Sequence, residues 1–99
     1  MAKAVYKLFL ARPTEAWHQL SQQEQEDLFA KVNKALEDVG GTRTILCNSA
    51  WSSERWTFFG VEEFPSIEAQ QRHTELLSEF NWGRYLDSLT VLGTEWQLE

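Results

Sequence analysis

The sequence lacks most features that would tie it to a membrane, to nucleic acid or to an oxidising compartment. It has one cysteine, Cys47, which excludes an intrachain disulfide and favours a reducing, cytoplasmic setting. Lysine and arginine number 9 against 15 aspartate and glutamate residues, and the net charge of −6 disfavours partners bound through phosphates. No apolar run approaches the ~18 residues of a transmembrane helix. We therefore expect no nucleic acid and no membrane among its partners.

We expect the amino-terminal apolar segment to be a strand and not a signal peptide, because it is short and interrupted. Residues 4–10 contain Lys7 and are followed by Arg12 and Pro13, a pattern typical of a strand that ends near Ala11. The chain of 99 residues is 42% hydrophobic and 13% aromatic, which suffices for one globular domain over residues 1–99.

Two segments have the periodicity and the caps of amphipathic helices. Ser21 and Glu24 have the spacing of a capping box, and the helix that they start should end near Val39, before two glycines. Ser66 is a good N-cap for a second helix. One face of that helix is marked by Ala69, His73, Leu76, Leu77 and Phe80.

Four segments are strand-like, namely residues 4–11, 42–51, 56–64 and 89–96. The polar residues 52–55 are short enough for a hairpin between the second and third strands. The predicted order is β-α-β-β-α-β. This order is typical of an α+β, ferredoxin-like fold, in which an antiparallel sheet carries two helices on one face.

The first strand is apolar on both of its faces. Tyr6, Leu8 and Leu10 share one face, and Val5 and Phe9 share the other. Two helices cover only one face of such a sheet, so the second face needs another partner. We expect a homodimer in which sheet packs against sheet.

Two segments carry a family resemblance, RPTEAWHQLSQQEQEDLF after the first strand and FPSIEAQQRHTELLSEFNWGRYLDS after the third. They resemble the corresponding parts of small bacterial dimeric α/β-barrel proteins of the darcynin-like kind, within the antibiotic-biosynthesis-monooxygenase-like superfamily. The resemblance implies a dimeric α/β barrel with its ligand between helices and sheet. The superfamily includes monooxygenases, cyclases, isomerases and haem-degrading enzymes, so the fold alone selects no reaction.

The haem-degrading relatives use an Asn, Trp and His combination. Asn48, Trp56 and His73 do not align with it, because the asparagine would have to come from the first strand, which has none. We therefore expect no cofactor. The acidic residues have no histidine or cysteine at ligand spacing, so we expect no metal and interpret them, Glu62 and Glu63 included, as a solvated surface.

His73 is the candidate catalytic residue, because its helix position aims it at the sheet and its ordinary pKa suits proton transfer near neutrality. The alternative is a core histidine satisfied by a backbone carbonyl. The candidate ligand-binding residues can hydrogen-bond to or stack on a planar compound, or else pack in the core or dimer interface. They are Tyr6, Trp51, Trp56 and Tyr85.

Lys7 lies on a strand that should be central, so it must pair with a carboxylate, reach solvent or orient an anionic substrate. Cys47 is predicted to be a buried small hydrophobe. The leading hypothesis is a homodimeric small-molecule binder or cofactor-independent enzyme, of monooxygenase, cyclase or isomerase type, acting on a hydrophobic or aromatic compound. The alternative is a non-catalytic interaction or ligand-sensing protein.

Overall fold

The computed structural model describes residues 3–98 as an antiparallel sheet with helices on one face. The strands are β1 (Val5–Pro13), β2 (Thr42–Asn48), β3 (Phe58–Phe64) and β4 (Leu86–Gly93). The helices are α1 (Glu15–His18), α2 (Gln22–Asp38), α3 (Ile67–Glu79) and α4 (Trp82–Tyr85). The strand order in the sheet is β2-β3-β1-β4, and every neighbouring pair is antiparallel. The four strands and two long helices were expected, whereas the one-turn helix α1 was not.

Both long helices start at their predicted caps. The Ser21 hydroxyl accepts a hydrogen bond from the Glu24 amide at 3.1 Å, and the Ser21 amide donates to the Glu24 carboxylate at 2.9 Å. The Ser66 hydroxyl accepts from the Ala69 amide at 3.1 Å. Helix α2 ends where Gly40 takes a positive φ of 76°, which glycine adopts without a steric cost. The capping prediction is confirmed.

The predicted strand boundaries were less accurate. Strand β1 continues through Arg12 to Pro13, because beyond Ala11 it pairs only with β4 and proline can occupy a strand end. The β2–β3 connection covers residues 49–57 instead of 52–55, since the loop is held by its own bonds, such as Ser49 Oγ to the Trp56 carbonyl at 2.9 Å. Strand β4 begins three residues earlier than predicted because it follows α4 directly.

The buried core is small and lies at one end of the layer between helices and sheet. Val5, Leu36 and Phe64 form its centre, with Val39 and Ala69 packed against them. In β1 the buried positions alternate, so Val5 faces the helices and its neighbour Tyr6 faces the opposite side. The rest of the layer is left to the cavity described below.

The second face of the sheet has no covering element among residues 3–98. It presents apolar side chains that are about half exposed, among them Leu8, Ile45, Leu89 and Val91. Cys47 lies on this face opposite Phe59 and is only partly buried, so the prediction of a buried cysteine is wrong for the single chain. None of the helices in the described part of the chain combines the length and the apolar character needed to cross a membrane.

Candidate functional site

A cavity of about 220 Å³ lies between the sheet and the helices. Every strand and every helix contributes to its wall, and ten of the fourteen lining side chains are apolar. The four polar ones are Lys7, Arg43, Glu62 and His73. An apolar pocket with a few convergent polar groups is the usual form of a small-molecule site.

Glu62 is the centre of the polar group. It lies on β3, paired across the sheet with Lys7 of β1 on one side and with Arg43 of β2 on the other. Lys7 Nζ is 3.9 Å from one carboxylate oxygen, and Arg43 Nη2 is 3.2 Å from the other. The Glu62 side chain is 5% exposed and the Lys7 side chain 12%, so two cations share one buried carboxylate.

Arg43 is held by three neighbours. Its Nη1 donates to the Asn33 side-chain oxygen at 3.0 Å, and its guanidinium lies 6.0 Å from the centre of the Phe29 ring. Its Nε is buried and has no hydrogen-bond partner. A buried donor without a partner is costly, so this part of Arg43 has unused hydrogen-bonding capacity.

His73 extends from α3 and is 1% exposed. Its ring lies 5.1 Å from that of Phe64, and neither ring nitrogen has a hydrogen-bond partner. Burial is the main reason why the pKa of His73 is lowered to about 4, and the positive charges of Lys7 and Arg43 contribute in the same direction. The imidazole is therefore neutral at pH 7, with one nitrogen donating and the other accepting.

Burial also affects the amine of Lys7. Desolvation is the main cause that lowers the pKa of Lys7. The negative charge of Glu62 opposes this shift, and the positive charge of Arg43 adds to it. A larger fraction of Lys7 is consequently the neutral amine than at an exposed lysine in water.

The far end of the cavity is aromatic. Trp17 of α1 and Trp82 of α4 meet edge to face, with ring centres 6.0 Å apart. The two one-turn helices are joined by Thr14, whose amide donates to the Tyr85 carbonyl at 3.0 Å and whose hydroxyl donates to the Arg84 carbonyl at 2.7 Å. Between the polar and aromatic ends, the lining residues of β1 run from Lys7 through Phe9 to Pro13, which is roughly 20 Å of strand.

Of the five predicted site residues, His73 is the one that lines this cavity. Tyr6 lies on the uncovered face of the sheet opposite Glu63, whose negative charge raises the pKa of the Tyr6 hydroxyl. Trp51 is 83% exposed in the β2–β3 loop.

The remaining two aromatic residues lie beside arginines. Trp56 lies in the β2–β3 loop, 4.9 Å from the Arg55 guanidinium, and Tyr85 lies on α4 beside Arg84. The structure therefore does not bring the four predicted aromatic residues together.

The Asn, Trp and His combination of haem-degrading enzymes is not assembled either. The Asn48 side chain accepts a hydrogen bond from the Ala50 amide at 2.9 Å, and neither Asn48 nor Trp56 lines the cavity that contains His73. These residues do not fit that haem site. Within residues 3–98 no three His, Cys, Asp or Glu side chains are grouped as metal ligands would be.

Sequence reasoning missed most of the cavity. The interpretation of Glu62 as solvated surface was wrong. Strand periodicity could have corrected it, because Glu62 lies two residues before the buried Phe64 and therefore on the same face of β3. The need of Lys7 for a carboxylate was the signal that could have identified it. Trp17, Trp82 and Arg43 had no such signal, because only the tertiary structure brings their elements together.

Residues 5–99 match a family of unknown function (DUF6616), which is almost the whole chain. The chain belongs to this family. No curated protein matches it.

Several solved structures share the fold. A chlorite dismutase mutant from Candidatus Nitrospira defluvii superposes with a TM-score of 0.76 at 12% identity, covering 100% of this chain but only 43% of that one. The methylated RPA0582 protein has a TM-score of 0.67 at 14% identity, covering 98% of this chain and 84% of its own. A dabb family protein with a ferredoxin-like fold from Mesorhizobium loti has a TM-score of 0.65 at 14% identity, covering 95% and 98%. The present chain therefore has a ferredoxin-like fold. Sequence identities of 12–14% show the fold alone and give no information about function.

Proposed function

We propose that the protein binds a small aromatic or otherwise apolar acid in the cavity between helices and sheet, with the acidic group at Lys7 and Arg43. The observation that carries the proposal is the pairing of two buried cations with one carboxylate, Glu62, at the end of an otherwise apolar cavity. With His73 neutral, the cluster has one positive charge in excess. A ligand anion would balance a charge that is costly to bury alone.

The hydrogen-bonding capacity supports the same ligand class. Arg43 Nε and both nitrogens of His73 are buried without partners. An acidic group supplies acceptors for the arginine, the lysine and the donating nitrogen of the imidazole, and charged hydrogen bonds of this kind are the stronger ones. The body of the ligand would pack on the apolar wall, toward Trp17 and Trp82.

Within this proposal His73 is a hydrogen-bonding residue. Its predicted catalytic role would require proton exchange near pH 7, and a pKa of about 4 makes the buried imidazole a weak base there. An enzyme of monooxygenase, cyclase or isomerase type therefore remains a prediction, and the geometry favours binding.

We further propose that the uncovered sheet face packs on a second copy, as in the dimeric barrels that the two helix-containing segments resemble. Leu8, Ile45, Leu89 and Val91 form an apolar surface that one chain leaves in water. In this arrangement the cavity opens away from the dimer interface, because it lies on the helix-covered side of the sheet.

The binding proposal is tested by calorimetric titration with 2-naphthoate and its neutral analogue 2-naphthamide. We expect the acid to bind at least about tenfold more tightly, since a hydrogen bond to a charged group contributes about 1.5 kcal/mol or more. Lys7→Met should remove the difference in affinity between 2-naphthoate and 2-naphthamide. Lys34→Met is the control, because Lys34 is exposed and pairs with Asp38 at 3.2 Å on α2. Equal affinities, or no binding of either compound, would contradict the proposal.

A further inference from the structure

We propose that Lys7 is a carbonyl-reactive amine, and that an aldehyde or ketone held in the cavity forms an imine with its Nζ. The inference rests on the proposed function for the binding site and adds a class of substrate. It places a covalent step at a residue that so far has only a binding role.

The surroundings of Lys7 are those that activate an amine. The side chain lines the cavity and is 12% exposed, and the next residue on the same face of β1 is the apolar Phe9. A second cation, Arg43, is held on the same carboxylate. Lysines that are desolvated in an apolar pocket, or placed beside another cation, are the ones that proteins use to form Schiff bases.

The neighbouring groups can move the protons that the step requires. The ammonium first loses a proton and leaves a nucleophilic amine, and Glu62, 3.9 Å from Nζ, can take that proton through one intervening water. The nitrogen lone pair then forms a bond to the carbonyl carbon, and the carbon–oxygen π pair moves to the oxygen, which gains one of the two nitrogen-bound protons. Loss of the remaining nitrogen-bound proton and of the hydroxyl group as water gives the carbon–nitrogen double bond. No oxidant or reductant takes part.

His73 is suited to assist at the oxygen. It lines the same cavity, and its neutral ring offers one donor and one acceptor that no protein group uses. The donor can bind the carbonyl oxygen while the amine adds. The aromatic end of the cavity selects for carbonyl compounds with a planar apolar body.

The test is trapping of the imine in the wild-type protein. Benzaldehyde and sodium cyanoborohydride are added at neutral pH, and peptide mapping by mass spectrometry compares the labelling rates of Lys7 and Lys34, the latter exposed on α2. We expect Lys7 to be labelled at least about tenfold faster, because the cavity holds the aldehyde beside its amine and so raises the effective concentration of the carbonyl. We also expect 2-naphthoate to protect Lys7 and to leave Lys34 unchanged.

Two further variants separate this inference from the binding proposal. Lys7→Arg keeps the charge and removes the amine, so it should lose the benzaldehyde adduct that 2-naphthoate prevents. Lys34→Arg should still form that adduct. A Lys7 rate no higher than that of Lys34 in the folded wild-type protein overturns the inference. If 2-naphthoate still binds more tightly than 2-naphthamide in that case, the imine alone is refuted and acid binding stands.

Discussion

Single residues at the polar end of the cavity are controlled by a competition between burial and charge. Glu62 can remain buried because two cations flank it across the sheet, and Lys7 can remain buried because Glu62 is there. His73 has no such partner, so desolvation decides its protonation.

The protonation of His73 predicts how stability depends on pH. Its pKa is about 4 in the folded protein and 6.5 when unperturbed, so between these values the unfolded state binds more protons. The neutral His73 therefore contributes fully to the free energy of unfolding above pH 6.5. As the pH falls toward 4, the free energy of unfolding decreases by up to about 3 kcal/mol. Urea unfolding across this window should show that loss in the wild-type protein and a much smaller one in His73→Gln.

His18→Gln is the matched control for that series, because His18 is exposed at the end of α1. It should keep the pH dependence of the wild-type protein. The comparison uses the change in the free energy of unfolding with pH and not its absolute value. A general destabilisation of His73→Gln therefore does not affect the outcome. The same slope in His73→Gln and the wild type would contradict the assignment.

Sequence reasoning at the residue scale succeeded where one helix decides the environment. His73 was aimed at the sheet by its spacing from Ala69 and Leu76, and it lies there. The aromatic residues were different, because a tryptophan such as Trp51 looks the same in sequence whether it lies in a pocket or in solvent.

At the scale of elements, one glycine lets the sheet form the cavity wall. Gly60 of β3 faces the helices, and a Cβ built there would lie 2.7 Å from the tip of the Phe9 ring and 2.7 Å from the Ile45 carbonyl oxygen. Phe9 can therefore lie across β3 only because position 60 has no side chain.

This close approach predicts the effect of an alanine. Gly60→Ala should lower the free energy of unfolding by roughly 1–3 kcal/mol, the usual range for overpacking a buried site. Gly83→Ala is the control, since nothing lies within 4 Å of its Cβ position and Gly83 is in the helical turn α4. There alanine should be neutral or stabilising by up to about 1 kcal/mol. Equal effects in denaturant unfolding would show that Phe9 yields without cost.

At the scale of the whole molecule, the two faces of the sheet have different surroundings. The helix-covered face contains the cavity, and the uncovered face presents Leu8, Leu89 and Val91 to water. A stable interface buries about 1,600 Å² in total, or roughly 800 Å² on each partner.

We expect the protein to form a homodimer through this face. Sedimentation at micromolar concentration should give about twice the chain mass for the wild-type protein, because the apolar face is then removed from water. Leu89→Lys should shift the mass toward that of one chain, since two buried ammonium groups would lie in the interface. Ile67→Lys is the control, because Ile67 is 44% exposed on α3, on the other side of the sheet from Leu89. A monomeric wild-type protein would rule out the interface.

The sequence by itself determined the two helix starts and the four-stranded antiparallel sheet, because caps, periodicity and alternation act over a few residues. It also determined that Lys7 would need a partner. Only the tertiary structure decided that the partner is Glu62 and that Arg43 shares it, since cross-strand register joins residues 55 and 19 positions apart. The cavity has the same origin. Its wall draws on all eight elements, and no local pattern records where they meet.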